Sequence, residues 1–149
     1  MGDELDKVEK AAGEGRNFDR PPLHLWHPPL TGDIDIRIAA DGTWYHEGDP
    51  ILRQPLVNLF ATILRKDPDG YCLVTPAEKL MIEVEDAPFL AVDVEAEGMG
   101  SEQQLLFATN VGDYVMADQD HPIRVLGSSE RPRPYLEVRD GLSALINRS

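Results

Sequence analysis

A single cysteine, Cys72, serves the whole 149-residue chain. That excludes an internal disulfide framework and any metal site built from several thiolates. Base is also scarce: 14 Lys and Arg stand against 27 Asp and Glu, a formal net charge of −13. A chain so acidic repels phosphate, which argues against nucleic acid or an anionic membrane surface as partner. No apolar run approaches the roughly 20 residues of a membrane-spanning helix. The first twenty residues have no apolar h-region, so they do not read as a secretory signal. Asp6 stands where a myristoylation signal beginning at Gly2 needs Ser or Thr. The expected compartment is the cytosol. Nucleophile-elbow, P-loop and dinucleotide-binding glycine patterns are all missing. What remains is ordinary for a globular protein, 42% hydrophobic and 28% charged. Its length suits one domain or two small halves.

The pattern along the chain suggests three parts, 1–22, 23–70 and 71–149. Residues 1–22 are expected to be a flexible arm or frayed helix. Pro21-Pro22 and Pro28-Pro29 then hold an extended segment, because each proline fixes φ and biases its predecessor away from helix. Ile34, Ile36 and Ile38 alternate with Asp35 and Arg37, and Asp41-Gly42 follows before Thr43-Trp44-Tyr45-His46. Two alternating runs around Asp-Gly predict a β-hairpin. With Asp41 and Gly42 as the two turn residues, Arg37 faces His46 and Ile38 faces Tyr45. A different loop length moves every pair. Leu56, Leu59, Phe60 and Ile63, widened by Val57 and Leu64, predict a helix opened by Pro55 and stopped at Asp67-Pro68-Asp69-Gly70. From there short strands are expected at 71–75, 79–85, 89–97, 103–109, 113–117, 123–127 and 134–139. A short final helix is expected on Leu142, Leu145 and Ile146, with Asp140 as its N-cap. Seven strands and a helix suggest a small barrel or an orthogonal sandwich with a capped end. Each half runs strands, a proline-bearing loop and an apolar helix, a faint sign of internal duplication.

Several blocks resemble a bacterial family, domain of unknown function 1285. They include Gly32-Asp33-Ile34-Asp35-Ile36-Arg37-Ile38, Asp41-Gly42-Thr43-Trp44-Tyr45, Leu73-Val74-Thr75-Pro76-Ala77-Glu78-Lys79 and Val84-Glu85-Asp86-Ala87-Pro88-Phe89. Thr109-Asn110, His121-Pro122-Ile123-Arg124 and Val138-Arg139 to Leu142 continue the match, which spans about Leu23 to Arg148. The resemblance implies an α+β fold. A small N-terminal hairpin-helix unit would pack on a C-terminal seven-strand barrel like a pleckstrin-homology domain, with a closing helix and duplicated motifs. It also implies family members that run several residues past Ser149, so the final helix is expected to lack its docking tail. For function it implies no more than a signalling or ligand-binding role.

Candidate chemistry is sparse. His24 and His27 lie in an extended segment, where residues three apart point to different sides. No structural zinc and no cofactor are expected. Asp118-Gln119-Asp120-His121 lacks the glycine and bidentate glutamate of a calcium loop and reads as a hairpin turn. Glu83, Glu85, Asp93, Glu95 and Glu97 alternate with apolar residues, as on the solvated face of an antiparallel hairpin. Arg124, Arg131, Arg133 and Arg139 suit an anion or an acidic peptide. Cys72 lies in Tyr71-Cys72-Leu73-Val74 and reads as a small buried hydrophobe. The candidate site is a cleft between the two units, lined by Arg37, Trp44, His46, His121 and Arg124. The expected function is that of a non-catalytic cytosolic binding or adaptor protein, with a small ligand or a protein partner in that cleft. The alternative is a small hydrolase or metal-dependent enzyme built on His24, His27, His46 or His121 with Asp33 or Asp35. Nothing in the sequence sets an oligomeric state.

Overall fold

A computed structural model describes residues 5–10, 22–28 and 30–146. The chain is mostly β, in two six-stranded sheets that each mix parallel and antiparallel pairs. It divides into two compact units, residues 1–39 with 43–84 and residues 40–42 with 85–149. No helix is long and apolar enough to cross a membrane among the described residues.

In the first unit, residues 5–10 form a helical turn, α1, with Val8 buried. Residues 1–4 and 11–21 of the expected N-terminal arm lie outside the described residues. A short 3-10 turn at Leu23–Leu25 interrupts the segment expected to be extended. Strand β1 (Leu30–Ile38) pairs with β2 (Trp44–His46), which pairs with β3 (Asp49–Pro50). Helix α2 (Gln54–Thr62) follows with Pro55 in its first turn. Strands β4 (Leu64–Asp67), β5 (Gly70–Val74) and β6 (Glu78–Val84) complete the sheet in the order β3-β2-β1-β6-β5-β4.

Two expectations change here. Leu64 belongs to β4, not to the helical stripe, because the Ile63 carbonyl accepts the Val74 N–H at 2.9 Å and the chain turns into sheet pairing. The hairpin register also differs. The Ala39 N–H donates to the Thr43 carbonyl at 2.8 Å, and Gly42 takes φ +89°. The loop therefore holds three residues, Ala40 to Gly42, ending in a left-handed glycine. The pairs become Ile36 with His46, Arg37 with Tyr45 and Ile38 with Trp44. The one-residue shift moves Trp44 and His46 to the isoleucine face and Tyr45 to the arginine face.

The second unit contains β7 (Phe89–Glu97), β8 (Gln104–Thr109), β9 (Tyr114–Met116), β10 (Ile123–Gly127), β11 (Pro132–Arg139) and β12 (Leu142–Ile146). The expected closing helix is strand β12. Asp140 and Gly141 have φ +47° and +82°, so they form a two-residue hairpin turn instead of a helix cap. Leu142 and Ala144 are buried at a period of two, and β12 pairs antiparallel with β11 and parallel with β7. The first two strands expected in a C-terminal barrel, β5 and β6, lie in the first sheet beside β1 and β4. Asp118–His121 is a turn, with Asp118 Oδ1 accepting two backbone N–H bonds at 2.9 Å, but not a hairpin. It joins β9 and β10, which lie at opposite edges of the order β10-β11-β12-β7-β8-β9. In a flat sheet those edges stand about 24 Å apart. Residues 117–122 reach that far only fully extended, so this sheet is curved.

The two sheets share one topology. Each is two three-stranded meanders joined where the first strand of one runs parallel to the last strand of the other, β1 with β6 and β7 with β12. The duplication expected from the sequence involved a terminal helix in each half. In the structure the repeated element is this six-strand order, and only the first unit has a helix between its meanders.

Candidate functional site

The β2–β3 hairpin carries a cleft in the first unit. Glu47 and Gly48, with φ +51° and +85°, form a tight turn that sets His46 opposite Asp49. The Ile51 N–H then donates to the Trp44 carbonyl at 2.8 Å, which holds the chain on the sheet before it enters α2. Between this hairpin, the start of α2 and α1 opens a cleft of ≈ 420 Å³. Leu5, Pro50, Ile51, Leu52 and Leu56 supply its apolar lining, and His46, Asp6, Asp49 and Arg53 its polar groups. Leu52 is 88% exposed at its mouth, whereas His46 is only 8% exposed. His46 Nε2 lies 3.5 Å from Glu47 Oε1, and Arg53 Nη2 donates to Glu9 Oε2 at 3.2 Å. Its volume falls within the range of small-molecule sites.

The five residues singled out from the sequence are spread over both units. His46 lines this cleft. Arg37 lies on the opposite face of β1, its guanidinium 4.3 Å from the centre of the Tyr45 ring. Trp44 is 2% exposed, and its Nε1 has no hydrogen-bond partner among the described residues. His121 and Arg124 belong to the second unit. His121 Nδ1 lies 3.1 Å from the Glu137 carbonyl oxygen, and Arg124 is exposed.

The enzyme alternative asks for histidines and carboxylates gathered at one place. His24 and His27 are exposed on the segment before β1, Asp33 and Asp35 are exposed on β1, and His46 is buried on β2. Among the described residues no group of three His, Cys, Asp or Glu side chains is placed to hold a metal. Cys72 is fully buried, its thiol pushed up to about 11, chiefly by burial and then by the Asp67 charge. It stays a neutral thiol at neutral pH and is no nucleophile.

Sequence reasoning missed Asp49 to Arg53, and Leu56 entered it only as part of the helical stripe. The available signal was Glu47-Gly48, a second glycine-bearing turn only five residues after Asp41-Gly42.

Two family models match the chain. The model described as "Domain of unknown function (DUF1285), N-terminal domain" matches residues 21–87, and "Protein of unknown function (DUF1285), C-terminal domain" matches residues 88–149. Their junction lies within three residues of the division between the compact units at 84/85. A solved DUF1285 family protein from Silicibacter pomeroyi DSS-3 is 49% identical, with a TM-score of 0.85 over 95% of this chain and 78% of that one. Another from Shewanella baltica OS155 is 29% identical, with a TM-score of 0.58 over 76% of this chain and 84% of that one. Among curated proteins none matches.

Proposed function

The chain belongs to the DUF1285 family, and from that premise we propose that it is a non-catalytic cytosolic binding protein that takes a small amphipathic ligand in the cleft beside His46. The observation that carries this reading is the cleft itself, ≈ 420 Å³ with apolar walls and a buried imidazole. Asp6 and Asp49 outnumber Arg53 around it, and Arg53 is already engaged by Glu9. A ligand with an apolar body and a cationic or neutral hydrogen-bonding head suits those groups better than an anion. A protein that binds such a ligand without transforming it fits a role in signalling.

The test is a backbone-amide NMR titration of the full chain with octylamine and, separately, octanoate. Octylamine is expected to shift amides of residues 44–56, and octanoate to shift them less. Leu52→Ser, at an exposed position, is expected to weaken octylamine binding severalfold with an unchanged urea midpoint. No shifts in that stretch with either probe, or equal binding by the variant, overturns the reading.

A further inference from the structure

Among the described residues each sheet has two edge strands, and three of the four are guarded in the ways sheets usually prevent unwanted pairing. Strand β3 is two residues long and ends in Pro50. Strand β4 carries Arg65, Lys66 and Asp67 and runs into Pro68. Strand β9 has three residues. Strand β10 is less guarded: its one charge is Arg124, and the nearest prolines, Pro122 and Pro132, lie outside the strand. It holds five residues without proline, pairs with β11 in an unbroken register, and is exposed along its whole length. Ile123, Val125 and Leu126 are 39%, 64% and 55% exposed.

We infer that the free edge of β10 is a docking site for an extended segment of another protein in which apolar and acidic residues alternate. The alternation follows from the two faces of β10. Ile123 pairs with Leu136 and Val125 with Pro134, so these side chains continue the core-side face on which Leu136 is fully buried. Arg124 pairs with Tyr135 and Leu126 with Arg133, on the other face. A strand added along the edge places its residues beside these in turn. Apolar side chains extend the row through Ile123 and Val125, and an acid between them meets Arg124.

Charge selects the occupant. The Arg124 side chain is 63% exposed and its ion-pair contact to Glu137 is long, at 4.0 Å. Arg131 is exposed in the turn that follows, and Arg133 beside it is bound to Asp86. Residues 120–149 carry five arginines against four acids in a chain of net charge −13. Self-pairing through β10 would set these arginine-bearing strands together and bring two chains of −13 into contact. A short acidic segment avoids the clash of arginines, carries far less charge than a second chain of −13, and gains the attraction of the exposed Arg124.

The experiment uses a fluorescein-labelled eight-residue peptide that alternates valine and glutamate, read by anisotropy against the full chain, with a valine–lysine peptide for comparison. The valine–glutamate peptide is expected to bind and to shift the amides of residues 123–127. The valine–lysine peptide and the Arg124→Glu variant are each expected to weaken binding about tenfold, the sum of a lost attraction and a gained repulsion. Val125→Lys, a charged guard at an exposed position, is expected to abolish binding with the urea midpoint unchanged. Equal binding of the two peptides, binding unaltered in Arg124→Glu, or binding that leaves the β10 amides unmoved overturns the proposal. So does self-association lost in Val125→Lys without peptide binding, which would make a second copy the occupant.

Discussion

The Arg65 guanidinium donates four hydrogen bonds in the first unit. Its Nε and Nη2 donate to both oxygens of Asp67 at 2.8 and 2.9 Å. Its Nη1 donates to the Leu23 and Trp26 carbonyls at 2.8 and 2.9 Å. One planar guanidinium thus ties the proline-bounded segment to β4, a geometry that lysine cannot reproduce. Lys79 Nζ adds a contact to Asp67 Oδ2 at 2.8 Å. The Arg65 hydrogen bonds, then those of Lys79, hold the Asp67 carboxyl below its ordinary range. A carboxyl depressed in the folded state stabilises above its unfolded pKa of about 4, and that contribution is lost as pH falls. Asp67→Asn is therefore expected to cost about 1–3 kcal/mol at pH 7 and to flatten the acid limb below about pH 4. Urea midpoints from pH 7 to pH 3 check this. An acid limb as steep as in the unaltered chain would place the titrating group elsewhere. Gly42 poses a steric case. At φ +89°, a Cβ there would lie 2.7 Å from Leu90 Cδ1 and 2.9 Å from Asn110 Nδ2. Gly42→Ala is expected to destabilise by about 1–3 kcal/mol from backbone strain alone, measured by thermal unfolding.

Among the elements, α2 is the one most legible in the sequence. Leu56, Val57, Phe60 and Ala61 are buried along one face, close to the stripe that periodicity predicted. Phe60 is fully buried. Phe60→Ala is expected to cost about 3–5 kcal/mol, the transfer term plus the cavity term. A urea midpoint near that of the unaltered chain would show that this face is not core. The seven predicted strands all appear, with ends moved by one or two residues. Strand β12 differs from the predicted helix because Leu142, Leu145 and Ile146 fit a helical face as well as a strand. Five residues are too few for periodicity to separate the two. Asp140-Gly141 held the deciding signal, since Asp-Gly favours the left-handed pair of a hairpin turn. Gly141→Val, a β-branched residue at φ +82°, is expected to destabilise by about 1–3 kcal/mol. Circular dichroism should show no loss of helix, which a terminal helix would require.

For the molecule as a whole, the shared strand order places the parallel pairs β1–β6 and β7–β12 at the centres of their sheets. Ile36, Ile38, Ile82, Phe89, Ala91 and Ala144 of these strands are all buried. Central strands open only with their whole unit, whereas edges open locally. Amide hydrogen exchange is therefore expected to be slowest in these four strands and fast along β10. Protection of β10 equal to that of β7 would mean that the edge is already covered. The acidic run reads differently at this scale. Glu83 and Asp93 lie in different sheets, not in one hairpin; Asp93, Glu95 and Glu97 are exposed, but Val92 and Val94, which alternate with them, are about half exposed as well. Among the described residues, the strand beyond Ala91 pairs with β8 alone.

The local elements were determined by sequence-local physics. Proline and glycine positions, two-residue alternation and one helical stripe specify the strands, the turns and α2, because each acts within a few residues of the chain. The hairpin register at Asp41-Gly42 was not local. Two-residue and three-residue loops suit the same residues, and the choice fell to the longer one, in which Trp44 and His46 join the buried isoleucine face. That choice split the candidate constellation, leaving Arg37 with Tyr45 and His46 in the cleft. The distribution of strands between two sheets was likewise a tertiary outcome. It depends on parallel pairings between residues 30–38 and 78–84, and between 89–91 and 144–146. No turn links either pair of strands, so only the burial of both partners at a sheet centre brings them together.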